Sequence, residues 1–257
     1  MGLMQLNEMG WNKIETAIEV IKQNEPPEGY YVANSGGKDS GIIVDLCKKA
    51  GVKFDAHYNV SPIDPPEVYK FLKEYHPETQ WEYFARGFWN EYFPKFGLPN
   101  RRKRWCCKVI KECGGSGRLV ITGIRWAEST KRKSRCQIEV SRQDSTKRFL
   151  HSIICWSDVE VWEYYRMFKL PYLSLYDNGW ERVGCIGCPQ ATPTQRQFQF
   201  IHYPKIAQNW RNAADKYFVK HLSNKYLAQL STTDNYWNWW LSGKSVKNYL
   251  NEHQSKF

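Results

Sequence analysis

The chain has 257 residues, 42% hydrophobic, 25% charged and 16% aromatic, which excludes a disordered, collagen-like or coiled-coil protein and is long enough for a sizeable core. Thirty-seven Lys and Arg against 26 Asp and Glu leave a net charge of +11, which points to an anionic partner. No run reaches the roughly 18 apolar residues that a membrane helix needs. The first residues, Met1 to Leu6, lack the apolar stretch of a signal peptide, and Leu6 stands where N-myristoylation requires Ser or Thr, so a cytoplasmic protein is expected. Trp11, Ile14, Ala17, Ile18 and Ile21 then recur at helical spacing and stop before the turn signal Pro26-Pro27-Glu28-Gly29.

Tyr30-Tyr31-Val32-Ala33 reads as a short buried strand, followed by a Ser-Gly-Gly turn and a helix through Ile42, Ile43, Leu46 and Cys47 that closes near Gly51. Residues 52–60 read as the next strand. This order implies a right-handed crossover and a parallel sheet, with ligands collecting at the carboxyl ends of its strands. Further on, Leu119-Val120-Ile121-Thr122-Gly123 reads as another core strand, and Ser157-Asp158-Val159-Glu160 is a capping box opening a helix that ends before Pro171. From Thr194 onward the pattern is helical and includes Ile206 to Leu222. Its aromatic stretch, Tyr236, Trp237, Trp239 and Trp240, either packs a terminal helix or stacks on bases. The expected fold is α/β, a parallel twisted sheet flanked by helices over residues 1–190, with a helical C-terminal extension over 191–257.

Ser35-Gly36-Gly37-Lys38-Asp39-Ser40 falls between a strand and a helix, where glycines let backbone N–H groups wrap an anion at the helix N-terminus and both serines add hydroxyls. The spacing is not that of a Walker A loop. These residues resemble the PP-loop, SGGxDS, of the ATP pyrophosphatase superfamily, whose fold is adenine nucleotide alpha hydrolase-like. The resemblance implies that Ser35, Gly36, Gly37, Lys38, Asp39 and Ser40 grip the pyrophosphate end of ATP, with Mg²⁺, and leave the α-phosphorus open to attack. Thr122-Gly123-Ile124-Arg125-Trp126-Ala127-Glu128-Ser129 with Arg132 is similar to a segment of the PAPS reductase family. So are the run from Ile154 to Tyr164 and Leu175-Tyr176-Asp177-Asn178-Gly179 with Arg182-Val183-Gly184-Cys185. Arg125, just after a strand, is suited to a phosphate or sulfate oxygen with Glu128 orienting it, the alternative being a structural ion pair. With Gly123, these residues complete the expected nucleotide site, and Lys38, Asp39 and Arg125 are the catalytic candidates.

Cys106-Cys107 and Cys185-Ile186-Gly187-Cys188 form two pairs of soft thiolate ligands that can hold zinc or an iron–sulfur cluster. Adjacent cysteines suit a four-iron cluster better, because they reach different iron atoms. The set resembles that of the cluster-bearing adenylylsulfate reductases and implies a [4Fe–4S] cluster on Cys106, Cys107, Cys185 and Cys188. Cys47 reads as core. Cys113, Cys136 and Cys155 lie in no motif, and Cys136, among Lys131, Arg132, Lys133 and Arg135, is the best placed of them for a transient persulfide.

Between Arg101 and Arg148 lie fifteen Lys and Arg and four Asp and Glu, so the whole charge excess sits in this window, as binding a phosphate backbone requires. No cysteine follows Cys188, whereas sulfonucleotide reductases attack substrate sulfur with a C-terminal cysteine. The expected function is therefore that of the family branch that adenylates a nucleic acid for sulfur insertion. It resembles the ATP pyrophosphatase of DNA phosphorothioation systems, with a cysteine desulfurase as sulfur donor. A tRNA-thiolating enzyme, an APS or PAPS reductase using an external thiol, and a non-catalytic nucleotide- or DNA-binding subunit are the alternatives.

Overall fold

The computed structural model describes residues 2–5, 10 and 12–254. Trp11, which the sequence puts on the apolar stripe of the first helix, lies outside the described residues. That helix, Lys13–Gln23, starts where Asn12 accepts from the Ile14 and Glu15 amides and the Glu15 carboxylate accepts from the Asn12 amide in return. It buries Ile14, Ala17 and Ile21.

Six strands follow in one sheet: β1 (Tyr30–Ala33), β2 (Phe54–Asn59), β3 (Gln80–Glu82), β4 (Leu119–Ile121), β5 (Ile138–Val140) and β6 (Arg148–Leu150). Their order is β3-β2-β1-β4-β6-β5, parallel throughout except for β5, which runs antiparallel to β6 at the edge. Val32 of β1 pairs with Ala56 of β2 and Ile121 of β4. The crossover helix Lys38–Ala50 ends at Gly51, whose φ of 69° is the left-handed value that glycine reaches without strain. The helix Asp158–Phe168 opens on the capping box expected at Ser157. Val32, Ile42, Ile43, Leu46, Ile121, Leu150, Trp156 and Tyr164 form the core of this part. The sheet and helices are the α/β architecture expected from the sequence, and the carboxyl end of central β1 opens directly into Ser35.

The chain divides into two compact units. The first is the sheet unit: the chain up to Asn59, Pro66–Glu82 and Gly114–Val183. The second comprises Val60–Pro65, Tyr83–Cys113 and the chain from Gly184 onward. The second unit is helical, including Trp105–Ile110, Pro193–His202, Pro204–Lys220 and Thr233–Ser242. Its core is aromatic: Phe88, Phe93, Trp105, Trp210, Tyr236 and Trp240. Each indole N–H of the three tryptophans finds a carbonyl: Trp105 at Gly97 (3.0 Å), Trp210 at Ile186 (3.0 Å) and Trp240 at Pro99 (2.7 Å). Tyr236 and Trp240 are thus packed inside rather than offered to bases. No helix among the described residues is long and apolar enough to cross a membrane.

Trp210 is 1% exposed and holds the carbonyl beside Cys185. Trp210→Ala should cost about 3–5 kcal/mol in urea unfolding, since it opens a cavity and strands that carbonyl. A loss below about 1 kcal/mol would show that the aromatic core does not hold this unit.

Candidate functional site

The loop between β1 and the helix Lys38–Ala50 is shaped by its own side chains and by one residue that motif reading passes over. Asn34, 1% exposed, donates to Thr79 Oγ1 (3.1 Å) and accepts from the Gly36 amide (3.1 Å). Ser40 Oγ accepts from the Ser35 amide (3.2 Å) and donates to the Gly37 carbonyl (2.9 Å), closing the turn. Gly36 takes φ +72° against Val68 and Leu72, which no β-carbon-bearing residue does without strain. Gly37, the residue before the helix, makes no side-chain cap, so the helix-start amides face outward. Among the described residues the amides of Gly37, Asp39 and Ser40 have no hydrogen-bond partner. Together with the helix dipole, they form an anion cradle.

Lys38 is 6% exposed, with Nζ donating to the Glu181 carbonyl (3.2 Å), 3.8 Å from Asp39 Oδ2 and 5.4 Å above the Tyr176 ring. Arg125 is fully buried. Its Nε donates to Asp39 Oδ1 (2.7 Å), Nη1 to the Trp156 carbonyl (3.1 Å) and Nη2 to Asp158 Oδ1 (2.7 Å). Of the two sequence readings of Arg125, the geometry is that of the ion pair: all three nitrogens are occupied and the residue holds Asp39 in place. Glu128 does not orient the guanidinium; its carboxylate accepts from the Arg125 amide (3.0 Å) and pairs with Arg132. Gly123 lies so close to the loop helix that a Cβ there would come 2.7 Å from Asp39 backbone. Burial pushes Arg132 down to about 10, with neighbouring Arg182 adding repulsion. Such a gathering of arginines is relieved by a bound anion.

The second group lies wholly in the helical unit. Cys106, Cys107, Cys185 and Cys188 line one pocket, with Ile63, Ile110, Lys111, Pro189 and Trp210. A hydrogen bond from the Cys106 thiol holds Cys107 down at about 6 and pushes Cys106 up. Burial pushes Cys185 up, and its neighbour Asp64 lies 3.8 Å from Lys111 Nζ. Among the described residues no three His, Cys, Asp or Glu side chains converge as ligands of one metal ion. Arg196, 2% exposed, gives its Nη atoms to the Trp240 (2.8 Å) and Leu241 (3.0 Å) carbonyls, and its buried Nε has no partner. Among the described residues it pairs with no carboxylate. Burial pushes it down to about 10, opposed by the charge of Cys188. A buried cation of this kind calls for an anion beside it.

Cys47 is buried core, whereas Cys113, Cys136 and Cys155 are exposed. The basic window is shared between the units: six of its cations lie in 101–113 and nine in 114–148. Two polar groups at the carboxyl end of the sheet carry no motif and are missed in the sequence. His151, fully buried, meets Thr122 Oγ1 at 2.7 Å through Nδ1 and Glu139 at 3.3 Å through Nε2, and Ser152 Oγ is buried without a partner.

An anion-cradling loop at the carboxyl end of a parallel sheet defines a nucleotide-binding α/β protein of the PP-loop type. The phosphoadenosine phosphosulfate reductase domain model matches residues 29–191, and the chain belongs to that family. An uncharacterized protein of Methanocaldococcus jannaschii is 30% identical over 205 residues, which is 74% of this chain and 42% of that protein. The adenosine 5'-phosphosulfate reductase of Allochromatium vinosum is 25% identical over 127 residues, 45% of each chain. The chain spans less than half the length of these relatives. Among solved structures, a phosphoadenylyl-sulfate reductase from Candida auris in a phosphate complex superposes with a TM-score of 0.50 at 18% identity, covering 72% of this chain and 98% of that one. That likeness bears on the fold.

Burial, with Arg135 and Arg132 nearby, pushes His151 down to about 4, below its unfolded value of about 6.5. The unfolded chain then binds the extra proton, so the contribution is full above pH 6.5 and is lost as pH falls toward 4, by about 3 kcal/mol in all. Urea unfolding from pH 7 to pH 4 should show this slope, and His151→Gln should flatten it. An unchanged slope in the variant would remove His151 as its source.

Proposed function

We propose that this protein is an ATP pyrophosphatase that adenylates a nucleic-acid phosphate, DNA in preference to tRNA, for sulfur insertion, and that it carries a [4Fe–4S] cluster on Cys106, Cys107, Cys185 and Cys188. The observation that carries the reading is the cradle: unpartnered amides of Gly37, Asp39 and Ser40 beside the Lys38 ammonium at the end of β1. A triphosphate with its Mg²⁺ suits that charge pattern. A nonbridging oxygen of the acceptor phosphate attacks the α-phosphorus, the bond to the β-phosphate oxygen breaks and pyrophosphate leaves. A persulfide sulfur then attacks the activated phosphorus and expels AMP, and a second thiol cleaves the S–S bond, leaving sulfur on the nucleic acid. Lys38 and the amides stabilise charge on the departing pyrophosphate, Arg132 and Arg182 face the acceptor, and Arg125 fixes Asp39. Gly123 and Glu128 shape the same site from the end of β4.

What supports a cluster over a single ion is that both cysteine pairs line one pocket and that the adjacent Cys106 and Cys107 would reach different iron atoms. The orphaned Nε of buried Arg196 fits the net negative charge that four thiolates give either group. Four thiolate ligands leave such a cluster no open iron, so it would supply charge and structure. A persulfide delivered by a cysteine desulfurase, or held on exposed Cys136, is the sulfur source of this reading.

Anaerobically purified protein should release pyrophosphate from ATP, faster with duplex DNA, and form no sulfite from APS or PAPS with thioredoxin. Acceleration by tRNA alone would move the acceptor to RNA, and sulfite without pyrophosphate would overturn the reading. Cys185→Ala should lose the brown absorbance and the iron; iron retained in full would overturn the ligand set. Lys131→Ala with Lys133→Ala should weaken DNA binding and lower its salt slope by about 0.9 for each phosphate no longer neutralised. Unchanged binding would remove that loop from the DNA face.

A further inference from the structure

Tyr176 stands at the mouth of the loop with its hydrogen bonds unevenly used. Its hydroxyl oxygen accepts from the Lys38 amide (3.0 Å). A phenolic oxygen has one proton to give besides this acceptance, and among the described residues that proton has no acceptor. The hydroxyl lies over the cradle: a Cβ at Gly37 would come 3.5 Å from it. Burial pushes the phenol up to about 12, so it stays protonated at neutral pH. The ring also lies under the Lys38 ammonium, which the Glu181 carbonyl holds from the side.

We infer that Tyr176 is a phosphate-binding residue of the nucleotide loop, its O–H donating to an oxygen of a bound polyphosphate while its ring aims the Lys38 ammonium at the same group. The Lys38 amide takes one acceptor site of the oxygen, which leaves the proton to be given to a ligand. The first turn of the loop helix thereby gains a neutral donor where Lys38 N–H would otherwise point. This rests on the nucleotide reading above and adds to it a residue from outside the loop.

The test is isothermal titration of the full chain and of Tyr176→Phe with ATP, inorganic pyrophosphate and adenosine. Phe keeps the ring under Lys38 and removes the hydroxyl, which takes away both the donor to the ligand and the acceptor of the Lys38 amide. Affinity for ATP and for pyrophosphate should fall about ten-fold, the worth of one hydrogen bond to a charged oxygen, while adenosine binding is unchanged. Unchanged or tighter ATP binding in Tyr176→Phe would overturn the inference, as would an equal loss for adenosine, the mark of general damage. Wild-type protein that binds neither ATP nor pyrophosphate would overturn the nucleotide reading, and this one with it.

Discussion

The sheet unit is organised around a buried guanidinium. Arg125 has no exposure and donates from Nε, Nη1 and Nη2 to Asp39, Trp156 and Asp158. A charge so placed is tolerated only when matched, and removing one partner of such a pair typically costs several kcal/mol. It therefore joins three points of the chain: the first turn of the loop helix, the segment before the helix Asp158–Phe168 and the end of β4. Asp39 is oriented from behind, and the amides of Gly37, Asp39 and Ser40 are left without a partner among the described residues. A residue whose motif position suggests phosphate contact is thus held in an ion pair, and in the nucleotide reading proposed above the charge that would meet a ligand is that of Lys38 and the helix-start amides.

What could be read in advance follows signal strength. The helices Lys13–Gln23, Lys38–Ala50 and Asp158–Phe168 carry caps and apolar stripes, strands β1 and β4 are mostly buried runs, and β2 buries Ala56, His57 and Tyr58. The strands β3, β5 and β6 have three residues each, too few for alternation to register, and β5 is an edge strand with exposed Ile138 and Val140. The helix Pro66–Tyr75 buries Val68, Phe71 and Leu72, a stripe that the sequence shows but that no motif drew out. Loop and cysteines were legible because each is a local motif. Asn34 and His151 were not, because their importance lies in partners elsewhere in the chain, Thr79 and Glu139, and the motif that holds Tyr176 gave no sign of its contact with Lys38.

The helical unit gathers both cysteine pairs with the C-terminal helices. Cys106 and Cys107 sit on the short helix Trp105–Ile110, and the CxxC is held by residues that follow it: Gln199 accepts from the Gly187 amide at 3.0 Å, and Trp210 donates to the Ile186 carbonyl. Gly187 has φ +76°, and a Cβ there would come 2.7 Å from Phe200 and 2.9 Å from the Trp210 indole nitrogen. The C-terminal helices are therefore the wall against which the tight cysteine turn is pressed.

Counting charge along the chain overstates what is available to a ligand. Within the basic window, Arg118 pairs with Asp55, Arg125 with Asp39 and Asp158, Arg132 with Glu128, Arg135 with Glu139, Arg104 with Glu112 and Lys111 with Asp64. Several of those carboxylates lie outside the window, which is why the sequence count assigned it the whole excess. Exposed Arg101, Arg102 and Lys103 in one unit, and Lys131 and Lys133 in the other, are among the cations without a carboxylate partner in the described residues. In the nucleic-acid reading proposed above, attraction to a phosphate backbone would fall to such side chains, because a cation already matched at short range adds little field beyond its own pair. The electrostatic footprint is therefore smaller than the window and divided between two compact bodies, and its strength depends on which groups remain unmatched after folding.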